Sequence, residues 1–173
     1  MKIVTIFADC LFAVQYDGEQ ENEYDRLMDV WTDLFYLREF AKEANIADVK
    51  KLVEELSEDV EDIQDFMCEV ENGEERIDAI FKPLHNQETS IRELSLQKGR
   101  SHRKSHLRLY AIRIDRGTYV ITGGAIKLVR TMQESEALMT EWRKLGTVRR
   151  YLIDKGVFDQ DSFQEFKIEE DEN

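Results

Sequence analysis

Between Lys98 and Arg130 the sequence gathers the side chains best suited to grip a phosphodiester. The run Lys98-Gly99-Arg100-Ser101-His102-Arg103-Lys104-Ser105-His106 carries four cations and two histidines that titrate near neutral pH. Its glycine and two serines predict a flexible loop. Leu107 to Ile114 then alternates branched or aromatic residues with arginines. As a strand it puts Arg108 and Tyr110 on one face and Leu107, Leu109 and Ala111 on the other. Arg113 falls on the leucine face near the strand end. A later run puts Ala125, Lys127 and Val129 on one face, and Ile126, Leu128 and Arg130 on the other. Guanidinium groups bind phosphate through paired N–H donors and stabilise charge on a pentacovalent intermediate. Tyr110 offers a ring to stack on a base, or a hydroxyl for a phosphate oxygen. The RNA-binding candidates are therefore Lys98, Arg100, Arg103, Lys104, Tyr110 and Arg113. The competing structural reading pairs these cations with acidic helices and sheet edges.

Other chemistry has weaker support. No nucleophile elbow, phosphate loop, zinc spacing or dinucleotide fingerprint is present. His102 and His106 would share a helix face but have no neighbouring carboxylate or cysteine. The acidic run Glu54, Glu55, Glu58, Asp59, Glu61, Asp62, Asp65 and Glu69 has a functional reading as a divalent-cation or basic-partner surface, but it lacks the glycine of an oxygen-ligand loop, and its plainer reading is a solvated helix face. No metal and no cofactor are expected.

The elements that would position the cations follow from periodicity. Lys2 to Phe7 and Leu11 to Tyr16 read as short strands, the second closed by Asp17-Gly18 turn chemistry. Leu27, Val30, Trp31, Leu34, Phe35, Leu37 and Phe40 form a helical stripe over about 24–44. A second helix spans about 47–72, with Ser57 a candidate restart. A short third helix spans 74–82 and ends at Pro83. Leu107–Ile114, Thr118–Thr122 and a run after Gly123-Gly124 make a three-strand meander. Asp115-Arg116-Gly117 is its first turn, and the glycine pair its second turn or bulge. Residues 132–155 and about 157–166 read as helices, and the tail IEEDEN is expected to fray. The prediction is one α+β domain over 1–173: a small antiparallel sheet, formed by the N-terminal strand and the C-terminal meander, packed with several helices. Its acidic helical region is at about 22–83 and its sheet-forming region at about 107–130.

Composition bounds the rest. The chain has 173 residues and a net charge of −13, unevenly placed. Residues 1–97 carry nine Lys/Arg against 25 Asp/Glu, residues 98–152 carry 13 against four, and residues 153–173 two against eight. A globally acidic chain repels nucleic acid at long range, but a local positive segment still makes an anion-binding face. Nothing is apolar enough for a membrane span, and the start lacks a signal-peptide pattern. Cys10 and Cys68 form no metal or redox motif; a disulfide stays open, and reduced thiols in the cytoplasm are the plainer reading.

The order of elements resembles the RelE/ParE superfamily of bacterial toxin–antitoxin toxins. The likeness rests on the helix ending FKPLH (81–85), the strand LRLYAIRI (107–114) and YVITGGAIKLVRT (119–131) leading into a helix. Gly124-Ala125-Ile126-Lys127 resembles the glycine-hydrophobic-lysine run of HigB-like members. MKIVTIF (1–7) and NEYDRLMDVWTD (22–33) look like the opening of an enlarged branch. The resemblance implies metal-independent cleavage of mRNA on the ribosome, or another block of translation, in a toxin–antitoxin or mobile-element context. It implies Arg108 and Lys127 as catalytic cations, Arg130 as auxiliary, and an antitoxin as protein partner. The alternative is a non-catalytic protein-interaction module on the same scaffold, which needs no general base.

Overall fold

A computed structural model describes residues 1–7, 9–83, 91–94, 104–128 and 132–173; for residues 80, 82, 83, 91–94 and 132–135 the backbone alone is described. The elements run β1 (Lys2–Phe7), β2 (Leu11–Gln15), α1 (Glu23–Thr32), α2 (Leu34–Glu43), α3 (Val49–Glu71), α4 (Ile77–Ile80), β3 (Phe81–Pro83), β4 (Ile91–Leu94), β5 (Leu107–Asp115), β6 (Thr118–Ile126), α5 (Met132–Asp154) and α6 (Gln160–Glu172). The α+β class is as expected. The sheet, however, is mixed rather than wholly antiparallel, with strand order β1-β2-β6-β5-β4-β3. β2 runs parallel to β6, pairing Leu11 with Tyr119 and Ala13 with Ile121. Parallel neighbours need a crossover, and everything from α1 to β5 supplies it.

Alternation along the strands splits the apolar residues into two cores. Leu11, Ala13, Leu109, Tyr119 and Ile121 pack against α1, α2 and α3. Ile3, Phe12, Val14, Tyr110 and Val120 pack against α5 and α6. Helices therefore cover both faces. Pairing of β6 with β5 slips between Tyr110 and Ala111, where Gly123 and Ile121 are the successive partners and Thr122 is the extra residue. That bulge reverses the alternation. Gly124 and Ile126 beyond it face the same side as Tyr119 and Ile121 before it.

Several boundaries differ from expectation. The first predicted helix is two, because Asp33 stops α1 and its side chain accepts from the amides of Phe35 and Tyr36 to start α2. α3 is unbroken: Ser57 donates back to the Val53 carbonyl at 2.9 Å instead of capping a restart. The third helix shrinks to one turn before β3. The glycine pair makes no turn: β6 runs through it to Ile126, and among the described residues no separate third meander strand follows it. The meander is instead β3-β4-β5-β6. The acidic tail stays helical to Glu172. Glu170 accepts the Ile3 amide at 3.2 Å and Lys167 donates to the Ile3 carbonyl, so α6 caps the outer edge of β1.

The β5–β6 turn is pinned from outside. Asp78 on α4 accepts from the Gly117 amide at 3.0 Å and the Tyr119 hydroxyl at 2.6 Å, and lies 3.7 Å from Arg113. Gly117 takes φ +79°, the left-handed conformation such a hairpin loop requires.

Candidate functional site

Five of the nine residues of the expected cationic face are described. Lys98, Arg100, Arg103 and Arg130 lie outside the described residues. Arg108 is 4% exposed, and its Nη1 donates to the backbone carbonyls of Ser105 and Leu107. Tyr110 is buried in the core under α5 and α6. Arg113 is half-buried beside Asp78, Lys104 is exposed, and Lys127 lies past the end of β6. The Lys127 amide donates to the His106 carbonyl at 2.6 Å, tying that segment to the strand preceding it. His106 Nε2 stands 2.8 Å from Glu55, and its amide donates to buried Asp59 at 2.8 Å. Part of the acidic run on α3 thus faces the chain leading into β5 rather than solvent.

A different cluster forms at the far end of β6. β2 pairs with β6 only as far as Ile121, so beyond the bulge that edge has no neighbouring strand among the described residues. Tyr16, just after β2, reaches over and donates to the Thr122 carbonyl at 2.6 Å. α1 and α5 close on the same edge. Glu23, at the start of α1, is 2% exposed and takes Arg26 through both oxygens, from Nε at 2.8 Å and Nη2 at 2.9 Å. Lys144 on α5 bridges Glu23 Oε2 and Glu141 Oε1, each at 3.2 Å, with its ammonium over the Tyr16 ring. Glu141 is 6% exposed, and its Oε2 is buried with no hydrogen-bond partner among the described residues.

The glycine pair makes this approach feasible. A Cβ on Gly123 would stand 2.0 Å from Glu141 Oε2, and one on Gly124 2.6 Å from the Arg108 carbonyl and 2.8 Å from the Trp31 ring. Burial raises the Glu141 carboxyl above its ordinary range; Lys144 opposes the shift and Glu23 adds to it. Burial also raises the Tyr16 hydroxyl, helped by Glu23 and Glu141, so it stays protonated and holds its hydrogen bond. Beside the cluster is a cavity of about 280 Å³ lined by Arg26, Trp31, Tyr36, Phe40, Thr140 and Glu141, among others.

No family model, curated relative or solved structure matches the chain. Its function is therefore argued from its own geometry. Among the described residues no group of three His, Cys, Asp or Glu side chains is placed to hold a metal ion, and no helix is long and apolar enough to cross a membrane. Both cysteines are free thiols, Cys68 exposed and Cys10 half-buried.

A second concavity lies between α2 and α3. It measures about 730 Å³ and is lined by Leu34, Arg38, Val49, Lys50, Val53, Glu54, Ser57 and Glu58. Leu34 lines it and is exposed, and Phe35, next to it in the chain, is 72% exposed. Of the residues of the two concavities, only Glu54 and Glu58 stood out in the sequence as chemistry, being members of the acidic run. Glu23 and Glu141 have the spacing of ordinary helix-surface acids, and Leu34 and Phe35 continue an apolar stripe.

Proposed function

We propose that this protein works by binding a protein partner, without RNA cleavage, and that the partner presents a basic amphipathic helix to the α2–α3 groove. The observation that carries the reading is the exposed Leu34-Phe35 pair at the start of α2. Asp33 fixes it in place by accepting from the Phe35 amide at 2.9 Å and the Tyr36 amide at 3.2 Å. Aromatic anchors beside an apolar trough suit a helix-in-groove contact. Val49 and Val53 supply apolar lining, and Glu54 and Glu58 supply negative charge beside Arg38 and Lys50, the latter 4.0 Å from Glu54. The marked acidity of residues 1–97 draws a cationic partner and repels an anionic one.

The rival reading is the RelE-like ribonuclease. It asks Arg108 and Lys127 to face one open hollow, whereas Arg108 turns its guanidinium to backbone carbonyls.

Fluorescence anisotropy with a helical peptide of roughly 18 residues, leucine on one face and lysine on the other, tests the proposal against a matched glutamate peptide. The lysine peptide is expected to bind, to weaken as salt rises, and to lose about tenfold or more in Phe35→Asp at unchanged helicity. Equal binding of the glutamate peptide, or none of the lysine peptide, overturns it. Cleavage of mRNA by the wild-type chain that Lys127→Ala abolishes would establish the ribonuclease instead.

A further inference from the structure

The α2–α3 groove calls for a basic amphipathic helix, and this chain carries one. The outer side of α5 exposes Met139, Trp142 and Ile153. Together with Gly146 they recur at three-, four- and seven-residue intervals, which sets them along one face of the helix. Arg143 and Arg150 run beside that stripe, about two turns apart. Both are exposed, and among the described residues neither makes an ion pair or a side-chain hydrogen bond. From Trp142 to Ile153 α5 has no acid, and from Leu52 to Glu71 α3 has no Lys or Arg. The two outer faces are therefore opposite in charge.

Gly146 is the residue of this face that the fold itself does not explain. Glycine weakens a helix interior, its φ here is not positive, and a Cβ would meet nothing within 4 Å. It leaves a notch between the bulky side chains of Trp142 and Arg150, one turn to either side. Phe35 has the complementary shape: its ring stands 72% exposed next to groove-lining Leu34. A ring entering such a notch is knobs-into-holes packing.

We propose that the partner of the α2–α3 groove is a second copy of this chain, which lays the outer face of its α5 into it. The inference rests on the groove reading above and names the occupant. Phe35 of one copy seats in the notch at Gly146 of the other, and Met139 and Ile153 meet Leu34, Val49 and Val53. Arg38 and Lys50 also line the groove, with Lys50 4.0 Å from Glu54. Arg143 and Arg150 are therefore placed toward Glu58, on the stretch of α3 without cations. α2 and α3 cover one face of the sheet and α5 the other. Two different surfaces on opposite layers meet head to tail, and such contacts close into a ring or continue as a chain. The net charge of −13 opposes self-association at long range, so the contact is weak and grows with concentration.

Sedimentation velocity of the full chain over a range of concentrations tests the proposal, with two variants that each spoil one surface. Phe35→Asp keeps the α5 face, and Gly146→Glu keeps the groove. Gly146→Glu puts a better helix former at an open position, so it is expected to melt no lower than the wild type. The wild type is expected to associate as concentration rises, beyond a pair. Each variant alone is expected to associate about tenfold or more weakly. Mixed in equal amounts, the variants are expected to form a pair of one copy each that grows no further, because one intact surface of each kind remains. A wild type that stays monomeric at every concentration overturns the inference. So does association that survives either variant, or a mixture that stays monomeric. The lysine peptide separates this failure from failure of the groove reading: a monomeric chain that binds the peptide has another protein as its partner, and a chain that binds neither loses both readings.

Discussion

The two ends of β6 each hold a carboxylate, and they hold it in opposite ways. At the start, Asp78 receives the Tyr119 hydroxyl and the Gly117 amide and lies beside Arg113. Burial works against its charge, but those donors, with Arg116 nearby, outweigh it and lower the carboxyl below its ordinary range. At the far end, burial wins and the Glu141 carboxyl is raised, despite Lys144. Asp78 has a partner for each role it fills, and it fastens a hairpin turn to a neighbouring helix. Glu141 has an oxygen left over, buried against Gly123 without a hydrogen-bond partner among the described residues. The difference separates a satisfied charge from an unsatisfied one: both carboxyls lie near one strand, but only Glu141 keeps a buried oxygen without a hydrogen-bond partner among the described residues.

Breaking the first end is expected to have the largest effect. Asp78→Ala leaves the buried Tyr119 hydroxyl and the Gly117 amide without their acceptor and removes the counter-charge beside Arg113. A loss of about 2–4 kcal/mol in urea unfolding is expected. Gly124→Ala comes next. Its methyl would collide with the Arg108 carbonyl, which is backbone and cannot swing aside, and with Trp31 and Leu27. Overpacking of this kind costs about 1–3 kcal/mol. Glu141→Gln should be smallest, within about 1 kcal/mol at neutral pH, since it removes a partly satisfied buried charge while Lys144 retains Glu23.

The pH dependence sharpens the same contrast. Asp78 has a folded pKa below its unfolded value, so its contribution is present above the unfolded value and is lost as pH falls through the folded one. Glu141 has a folded pKa above its unfolded value. Its contribution is fully present below the unfolded value and is lost as pH rises through the folded one. Urea unfolding across that range should therefore give Glu141→Gln a stability curve that falls less than the wild type on the alkaline side of the ordinary carboxylate range.

The sequence made some of this legible and hid the rest for identifiable reasons. β1, β2, β5, α3 and α5 follow from local periodicity, and residues 115–117 from turn chemistry. The α1–α2 break is invisible to periodicity because Leu34 and Leu37 continue the stripe across Asp33. Gly123-Gly124 satisfies two physical demands equally well, a turn or a close approach, and only Glu141 and Trp31 packed against it decide between them. The β2–β6 pairing joins segments separated by most of the helices. The cluster is more scattered still, with Lys144 and Glu23 121 positions apart. The cations were conspicuous by type, but burial and partners assign roles, and these are set by the helices over each sheet face.

The most direct test is carboxyl-carbon NMR titration of the full chain, with Glu141 assigned by its absence from Glu141→Gln. Glu141 is expected to titrate above the ordinary glutamate range while Asp78 titrates below the ordinary aspartate range. Ordinary titration of both would mean that the two ends of β6 treat their carboxylates alike, and would contradict the distinction drawn between them.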